Sequence, residues 1–312
     1  MATVTNFVDV RPLDKGEDRA ISITIEDVTI HFVCDGHSGH YASEWLIDPV
    51  NLCVPLSTEI NATEDIDEIP EIIRRHILTA DDNLCEYLRE VGSLRCGSTL
   101  TGVLILKRPD IEPLMWMINV GDSRCLVRTA DGEYISSRAH TLSDDEEKDY
   151  IHSCDEGRRF LELGGFFKLG SGLKILNETD ATMLRPEIYA FTSSNCLAMT
   201  RAMGHAPEKE RGILSREPDI TRISISEGIT QIIMGSDGVF DMCWDDTNVW
   251  TAIDESGDED KARVVTSWAE ERWRRTWRYI WHGDCIDEAT NIGAPDDITA
   301  LYVNINVAEA AD

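Results

Sequence analysis

The chain has 312 residues, 42% of them hydrophobic, and carries 29 Lys and Arg against 58 Asp and Glu, a formal charge of −29. That apolar fraction suffices for a full core and excludes wholesale disorder, while the acidity excludes general binding to nucleic acid or to an anionic membrane, because no phosphate-neutralising excess of cations exists. No apolar run approaches the roughly 20 residues of a membrane span and the first residues lack the apolar centre of a secretory signal, so an intracellular protein, cytoplasmic or nuclear, is expected.

In chain order, Ala20–Ile25 and Thr29–Cys34 are rich in β-branched and apolar residues around Glu26-Asp27, the pattern of two strands joined by a tight turn. The second strand runs into Asp35-Gly36-His37. Over Asp67–Val91 the residues Ile69, Ile72, Ile73, His76, Ile77, Ala80, Leu84, Leu88 and Val91 keep mainly three- and four-residue steps, which predicts a helix with one apolar stripe. Strands are predicted at Ser98–Leu106, Leu114–Val120 and Arg124–Arg128. A second helix is expected to start at Ser143, where Ser143 and Glu146 have capping-box spacing and Asp144 and Asp145 suit the positive end of the helix dipole.

The glycine-rich, aperiodic stretch from about 164 to 196 reads as a flap or long loop. Strands follow at Ile220–Ile225 and Gln231–Gly235, the latter ending in Ser236-Asp237-Gly238. A third helix is expected over about Asp260–Trp281, carrying Trp273, Trp277 and Trp281 at four-residue steps; such a stripe is more often core than a docking patch. The acidic runs Ser143–Asp149 and Asp254–Asp260 read as solvated helix starts. Pro295-Asp296-Asp297 precedes a last strand, Ile298–Val307. No repeat and no long linker divides residues 1–312, so one domain is expected, and runs of strands interrupted by helix pairs predict an α+β fold with antiparallel sheets.

Nine cysteines without a C-x-x-C pair point to reduced thiols rather than a disulfide framework or a zinc site. His37-x-x-His40 lacks a neighbouring Glu or Cys set, and Gly170-Ser171-Gly172 lacks the residues of a nucleotide loop. Three strand ends, at Asp35, Asp237 and Asp296, instead carry carboxylates. A lone Asp-Gly pair is usually an ordinary turn, yet if these ends converge they make a cluster of hard oxygen ligands suited to Mg²⁺ or Mn²⁺.

Read together, the motifs resemble the metal-dependent Ser/Thr phosphatases of the protein phosphatase 2C family. The resemblance rests on seven blocks in order: Glu17-Asp18, Asp35-Gly36-His37-Ser38-Gly39, Gly97-Ser98-Thr99, Asn119-Val120-Gly121-Asp122-Ser123-Arg124, Leu197 to Gly204, Ser236-Asp237-Gly238-Val239-Phe240-Asp241 and Asp296-Asp297-Ile298-Thr299. It implies two packed antiparallel β-sheets, a β-sandwich, flanked by helix pairs, with two Mg²⁺ or Mn²⁺ ions. Asp35 would bridge them, Asp237 and Asp296 completing one site and Glu17 and the Gly36 carbonyl the other. Asp18 would orient a water, Asp122 and Asp241 would help to hold a third ion, and His37 would be the general acid for the leaving seryl or threonyl oxygen.

The departures are equally specific. Leu13 stands where the family usually has a phosphate-binding arginine, leaving Arg11, Lys15 or Arg19 to take that role, with Leu13→Arg expected to restore part of it. Ala139 replaces Asp before His140, His205 replaces Asp after the Arg-Ala-x-Gly block, and Asp297 stands where Asn is common. The leading expectation is a monomeric Mg²⁺- or Mn²⁺-dependent phosphoprotein phosphatase. A pseudophosphatase that keeps the fold as a binding module is the alternative, and a hydrolase of small phosphate esters a third reading.

Overall fold

Apolar side chains on both faces of the central strands build a sandwich: Val28–Cys34 and Leu100–Leu106 are buried at every position, while the edge strand Ala2–Arg11 largely alternates. The computed structural model describes residues 2–13, 15–164, 166–168, 174–175, 189–191, 197–225, 228–281, 285–290 and 296–307. Its strands are β1 (Ala2–Arg11), β2 (Arg19–Ile25), β3 (Val28–Cys34), β4 (Gly36–His37), β5 (Gly97–Ser98), β6 (Leu100–Leu106), β7 (Leu114–Val120), β8 (Arg124–Arg128), β9 (Tyr134–Ser136), β10 (Phe166–Lys168), β11 (Lys174–Ile175), β12 (Tyr189–Phe191), β13 (Met203–Gly204), β14 (Asp219–Ser224), β15 (Gly228–Gly235), β16 (Thr276–Trp281), β17 (Cys285–Thr290) and β18 (Ile298–Val307). The helices are α1 (Tyr41–Ile47), α2 (Cys53–Ala62), α3 (Ile69–Glu90), α4 (Asp145–Ser153), α5 (Asp155–Glu162), α6 (Ala206–Glu210), α7 (Asp237–Phe240), α8 (Asp246–Glu255) and α9 (Lys261–Arg274).

Two five-stranded sheets, ordered β1-β18-β15-β8-β9 and β14-β7-β6-β3-β2, are antiparallel throughout. Val33, Val103, Ile105, Met115 and Met117 of one sheet pack against Ile232, Met234, Leu301, Val303 and Ile305 of the other. On the reverse faces Ile30, Phe32 and Leu104 meet α1 to α3, while Ile233, Ala300 and Tyr302 meet α7 to α9. The expected α+β sandwich flanked by helices is therefore the observed one, its strands serving two apolar layers by their period of two.

The first predicted helix is α3, entered through a 3₁₀ turn at Ile66–Glu68 that Asp65 caps. Its stripe is buried from Ile69 to Leu88, but Val91 is exposed and His76 turns to Glu59. Three expectations need correction. Asp144, not Ser143, caps α4, its carboxylate accepting from the amides of Glu146 and Glu147. The acidic run there is not wholly solvated, since Glu147 is fully buried against Arg201 and Thr200. The third helix stops at Arg274 and the chain continues as β16, antiparallel to β17, so Trp273 lies on a helix while Trp277 and Trp281 lie on a strand. Trp273 and Trp277 are core, as the stripe suggested, and the Arg272 guanidinium sits 4.8 to 5.0 Å from the Trp244, Trp268 and Trp277 rings.

Strand β1 was not foreseen, because Asn6 and Asp9 interrupt its apolar pattern; ten ladder partners on β18 hold it. The expected flap lies mostly outside the described residues. Cys34, Cys53, Cys85, Cys96, Cys125, Cys154 and Cys243 are free thiols, and no helix among the described residues is long and apolar enough to cross a membrane.

One core residue predicts a pH response. His31 is 0% exposed on β3, and neither ring nitrogen has a hydrogen-bond partner. Burial, with Lys107 adding to it, pushes its pKa down from 6.5 to about 4. The unfolded chain therefore binds a proton that the folded chain refuses. His31's contribution to stability is complete above pH 6.5 and is lost as pH falls towards 4, at a cost of about 3 kcal/mol. Urea unfolding at neutral pH and at acid pH should show His31→Leu gaining on wild type by about that amount in acid. A stability gap that does not change with pH would contradict a neutral buried imidazole.

Candidate active site

The carboxylates meet at one end of the sandwich. Strand β3 runs into Asp35, whose amide donates to Thr99 Oγ1 at 3.1 Å while its carbonyl accepts from the Thr99 amide at 2.9 Å. Gly36 and His37 then pair with Gly97 and Ser98, which pair with Met203 and Gly204, a three-stranded ribbon carrying the imidazole. A Cβ on Gly36 would stand 2.5 Å from the Glu17 carbonyl oxygen. Glycine is needed here so that two backbones touch; neither Gly36 nor Gly238 adopts a left-handed turn. Glu17 is further clamped by the Gly39 amide on its Oε1 and the Ser43 hydroxyl on its carbonyl.

The neighbouring sheet contributes the other half. The Ser236 amide donates to the Thr299 carbonyl at 3.1 Å, and the Thr299 amide to Ser236 Oγ at 3.1 Å. These bonds seat Asp237, the first residue of α7, beside Asp296. A Cβ on Gly238 would collide with the Asp297 carbonyl, so this second Asp-Gly pair is also a close approach. Asp122 sits in the turn between β7 and β8, where the preceding Gly121 amide donates to His140 Nδ1 at 3.0 Å. Asp241 closes α7.

Burial first, then Asp237, Asp18, Asp122 and Asp296, push the Asp35 carboxyl well above the usual range. Burial, then Asp296, Asp241, Asp122 and Asp18, do the same to Asp237. Asp18 rises to about 6 by burial, against the pull of the Ser236 and Thr299 hydroxyls, and Asp122 to about 7 by burial and Asp241. Burial also raises Glu17. Asp18 Oδ2, Asp35 Oδ2, Asp122 Oδ1 and Asp237 Oδ1 are buried without a protein partner. Among the described residues no three His, Cys, Asp or Glu side chains close on one point as a finished cage. A positive charge does reach the cluster: the Lys15 ammonium lies 2.7 Å from Asp296 Oδ2. Burial works against that ammonium, but Asp296, with Asp237 and Asp35, holds its pKa above the ordinary value. Buried carboxyl oxygens that repel one another and lack donors fit hard divalent cations.

The sequence model of protein phosphatase 2C matches residues 24–275. The chain belongs to the protein phosphatase 2C family. It is 23% identical over 296 residues to probable protein phosphatase 2C 27 of Oryza sativa subsp. japonica, covering 91% of this chain and 67% of that one. Of two other rice relatives it spans about half, 47% and 53%. The serine-threonine phosphatase 2C of Toxoplasma gondii shares the fold at a TM-score of 0.64 and 17% identity, covering 97% of this chain and 94% of that one. The catalytic domain of the phosphatase PstP, solved in complex with two manganese ions, does so at 0.56 and 15%, covering 98% and 100%.

Against that protein phosphatase 2C pattern the three candidate phosphate contacts separate cleanly. Arg11 points to α9, bound to Asp9, Glu270 and Ser267. Arg19 spans the Gly16 and Asp18 carbonyls and Glu44. Lys15 alone of the three lies among the acidic residues. Leu13 is half-buried and packs against the α7 to α9 core, so an arginine there would have to give up that contact to reach the carboxylates, and the rescue expected of Leu13→Arg would carry that cost. His40 turns away to Tyr41 and Glu44, as an incidental histidine would.

Two contributions were not foreseen: that of His205, noted in the sequence as a departure only, and that of Asp81. His205, fully buried, lays its ring over Gly97, where any Cβ would collide with it, and 5.9 Å from the His37 ring. Asp81, buried on α3, accepts from the Gly204 amide at 2.7 Å and anchors the third strand of the ribbon. An Asp inside the apolar stretch of α3 was the available signal.

Proposed function

We propose that this chain is a Mg²⁺- or Mn²⁺-dependent phosphatase that hydrolyses phosphoserine and phosphothreonine in proteins. The observation that carries the reading is the set of buried, partnerless carboxyl oxygens on Asp18, Asp35, Asp122 and Asp237 at one end of the sandwich. Two bound cations would supply positive charge for the phosphate and the acidity that makes water a nucleophile at neutral pH. Asp35 would serve both ions; Asp237 and Asp296 would hold one, and Glu17 with the Gly36 carbonyl the other. Asp18 would orient water, and Asp122 with Asp241 would hold a weaker third ion. Lys15 would take the phosphate contact in place of the family's arginine, as a point charge rather than a bidentate fork.

His37 would protonate the leaving oxygen. Burial and Lys15 hold its pKa at about 4, against the pull of Asp296, so the resting ring is neutral. An arriving phosphate is an anion beside that ring, and a neighbouring anion favours the imidazolium. The test is hydrolysis of a phosphothreonine peptide and of nitrophenyl phosphate in Mn²⁺, by wild type and His37→Gln. The variant should lose about 10²-fold or more on the peptide, whose alkoxide needs a proton, and far less on the aryl ester. Equal losses would remove the general-acid role. Wild type that binds Mn²⁺ but turns over neither substrate would favour the alternative of a binding module, the reading that Leu13, Ala139 and His205 support.

A further inference from the structure

We infer that Asp297 is a positioning residue that sets the cation affinity of the Glu17 half of the site; this rests on the metal-dependent reading above. Its carboxylate is 2% exposed. Oδ1 accepts from the Leu13 amide at 2.9 Å and the Lys15 amide at 3.4 Å, and Oδ2 accepts from the Glu17 amide at 2.7 Å. Alternate N–H groups of one loop thus converge on one carboxylate, as backbone amides do when they cradle an anion. Gly16, at φ +67°, supplies the left-handed residue that brings the Lys15 and Glu17 amides to the same side.

This clip joins the two halves of the site. The Asp297 amide donates to Asp296 Oδ1 at 2.9 Å, and the Asp297 carbonyl is the group that Gly238 packs upon. At the loop's other end Glu17 is held against Gly36 and Gly39. Among the described residues every bond to the Asp297 side chain is donated by the loop, so both of its oxygens must accept. Asparagine, the isosteric residue common in the family, has one acceptor oxygen and would turn N–H against N–H at the other position. Either the Glu17 amide or the Leu13 and Lys15 pair would lose its partner, and the loop that aims Glu17 would shift.

The experiment titrates Mn²⁺ by calorimetry into the chelator-treated full chain, for wild type, Asp297→Asn, Asp237→Asn and the double variant. Asp297→Asn should weaken one ion about tenfold and leave the other near its wild-type affinity; the ion that survives Asp237→Asn should weaken by the same factor in the double variant. In chelator, hydrogen exchange should accelerate at the Leu13, Lys15 and Glu17 amides with the melting temperature nearly unmoved. Gly16→Ala, which disturbs the loop without altering charge, should weaken the same ion. Unchanged affinities overturn the proposal. So does equal weakening of both ions with a fall in the metal-free melting temperature, which marks a merely structural residue. Wild type that takes up no Mn²⁺ overturns the metal-dependent reading itself, and the proposal with it.

Discussion

Asp35→Asn should lower phosphopeptide turnover by on the order of 10³-fold or more while making the metal-free protein more stable. Asp35 is 5% exposed, and Asp237, Asp18, Asp122 and Asp296 all oppose its ionisation. In the absence of cations that carboxylate is a liability: either it stays charged among like charges or it takes up a proton. An amide of the same shape ends the repulsion, so the melting temperature in chelator should rise. It cannot supply the charge that two cations require, so the gain in melting temperature on adding Mn²⁺ should shrink. The opposite signs make the prediction specific. A variant that turns over like wild type at saturating Mn²⁺ would remove Asp35 from the bridging role, and one less stable in chelator would contradict the electrostatic account.

Arg201→Met should destabilise the fold by about 3–5 kcal/mol, towards the lower end of that range. Glu147 is 0% exposed and accepts from Arg201 Nη2 at 2.5 Å, Arg201 Nε at 3.0 Å and Thr200 Oγ1 at 2.6 Å. The same guanidinium donates to the Glu217 carbonyl and to Asp219 at 2.9 Å. Removing it strands a buried carboxylate, with Arg138 at 3.4 Å as the remaining cation. Glu147→Leu added to Arg201→Met should recover part of the loss, because a pair replaced by apolar groups leaves no uncompensated charge. Urea unfolding of the two variants checks this, and a double variant weaker than Arg201→Met would show that Glu147 does more than pair with Arg201. The Arg201-Ala202-Met203-Gly204 block is thus held at its arginine by helix α4.

Strands whose ends are set by local pattern were readable in advance. Leu114–Val120, Arg124–Arg128 and Ile298–Val307 begin and end where expected, because these apolar and β-branched runs are punctuated by Pro113, Gly121-Asp122 and Pro295-Asp296-Asp297. The stripe of α3 was readable for the same reason, a period that one face must bury. Where a segment's own preference is divided, the neighbours decided. Trp277 to Trp281 continues a helical spacing, yet its aromatic and β-branched residues pair with Cys285–Thr290 instead.

The order of the acidic motifs named the family and the residues worth watching, since an Asp-Gly at a strand end is a local signal that survives in a single sequence. What those residues touch is set by pairs far apart in the chain. The Glu17 amide and the Asp297 carboxylate are 280 residues apart, and nothing in either neighbourhood announces their bond. Leu13 and Lys15 lie two residues apart, yet one packs against the helical core and the other faces Asp296, because the loop between β1 and β2 turns its backbone amides towards Asp297. Sequence determines which side chains can ionise, donate or pack; only the tertiary structure decides how much water each one loses and which charges it meets, and those two quantities set the chemistry of the site.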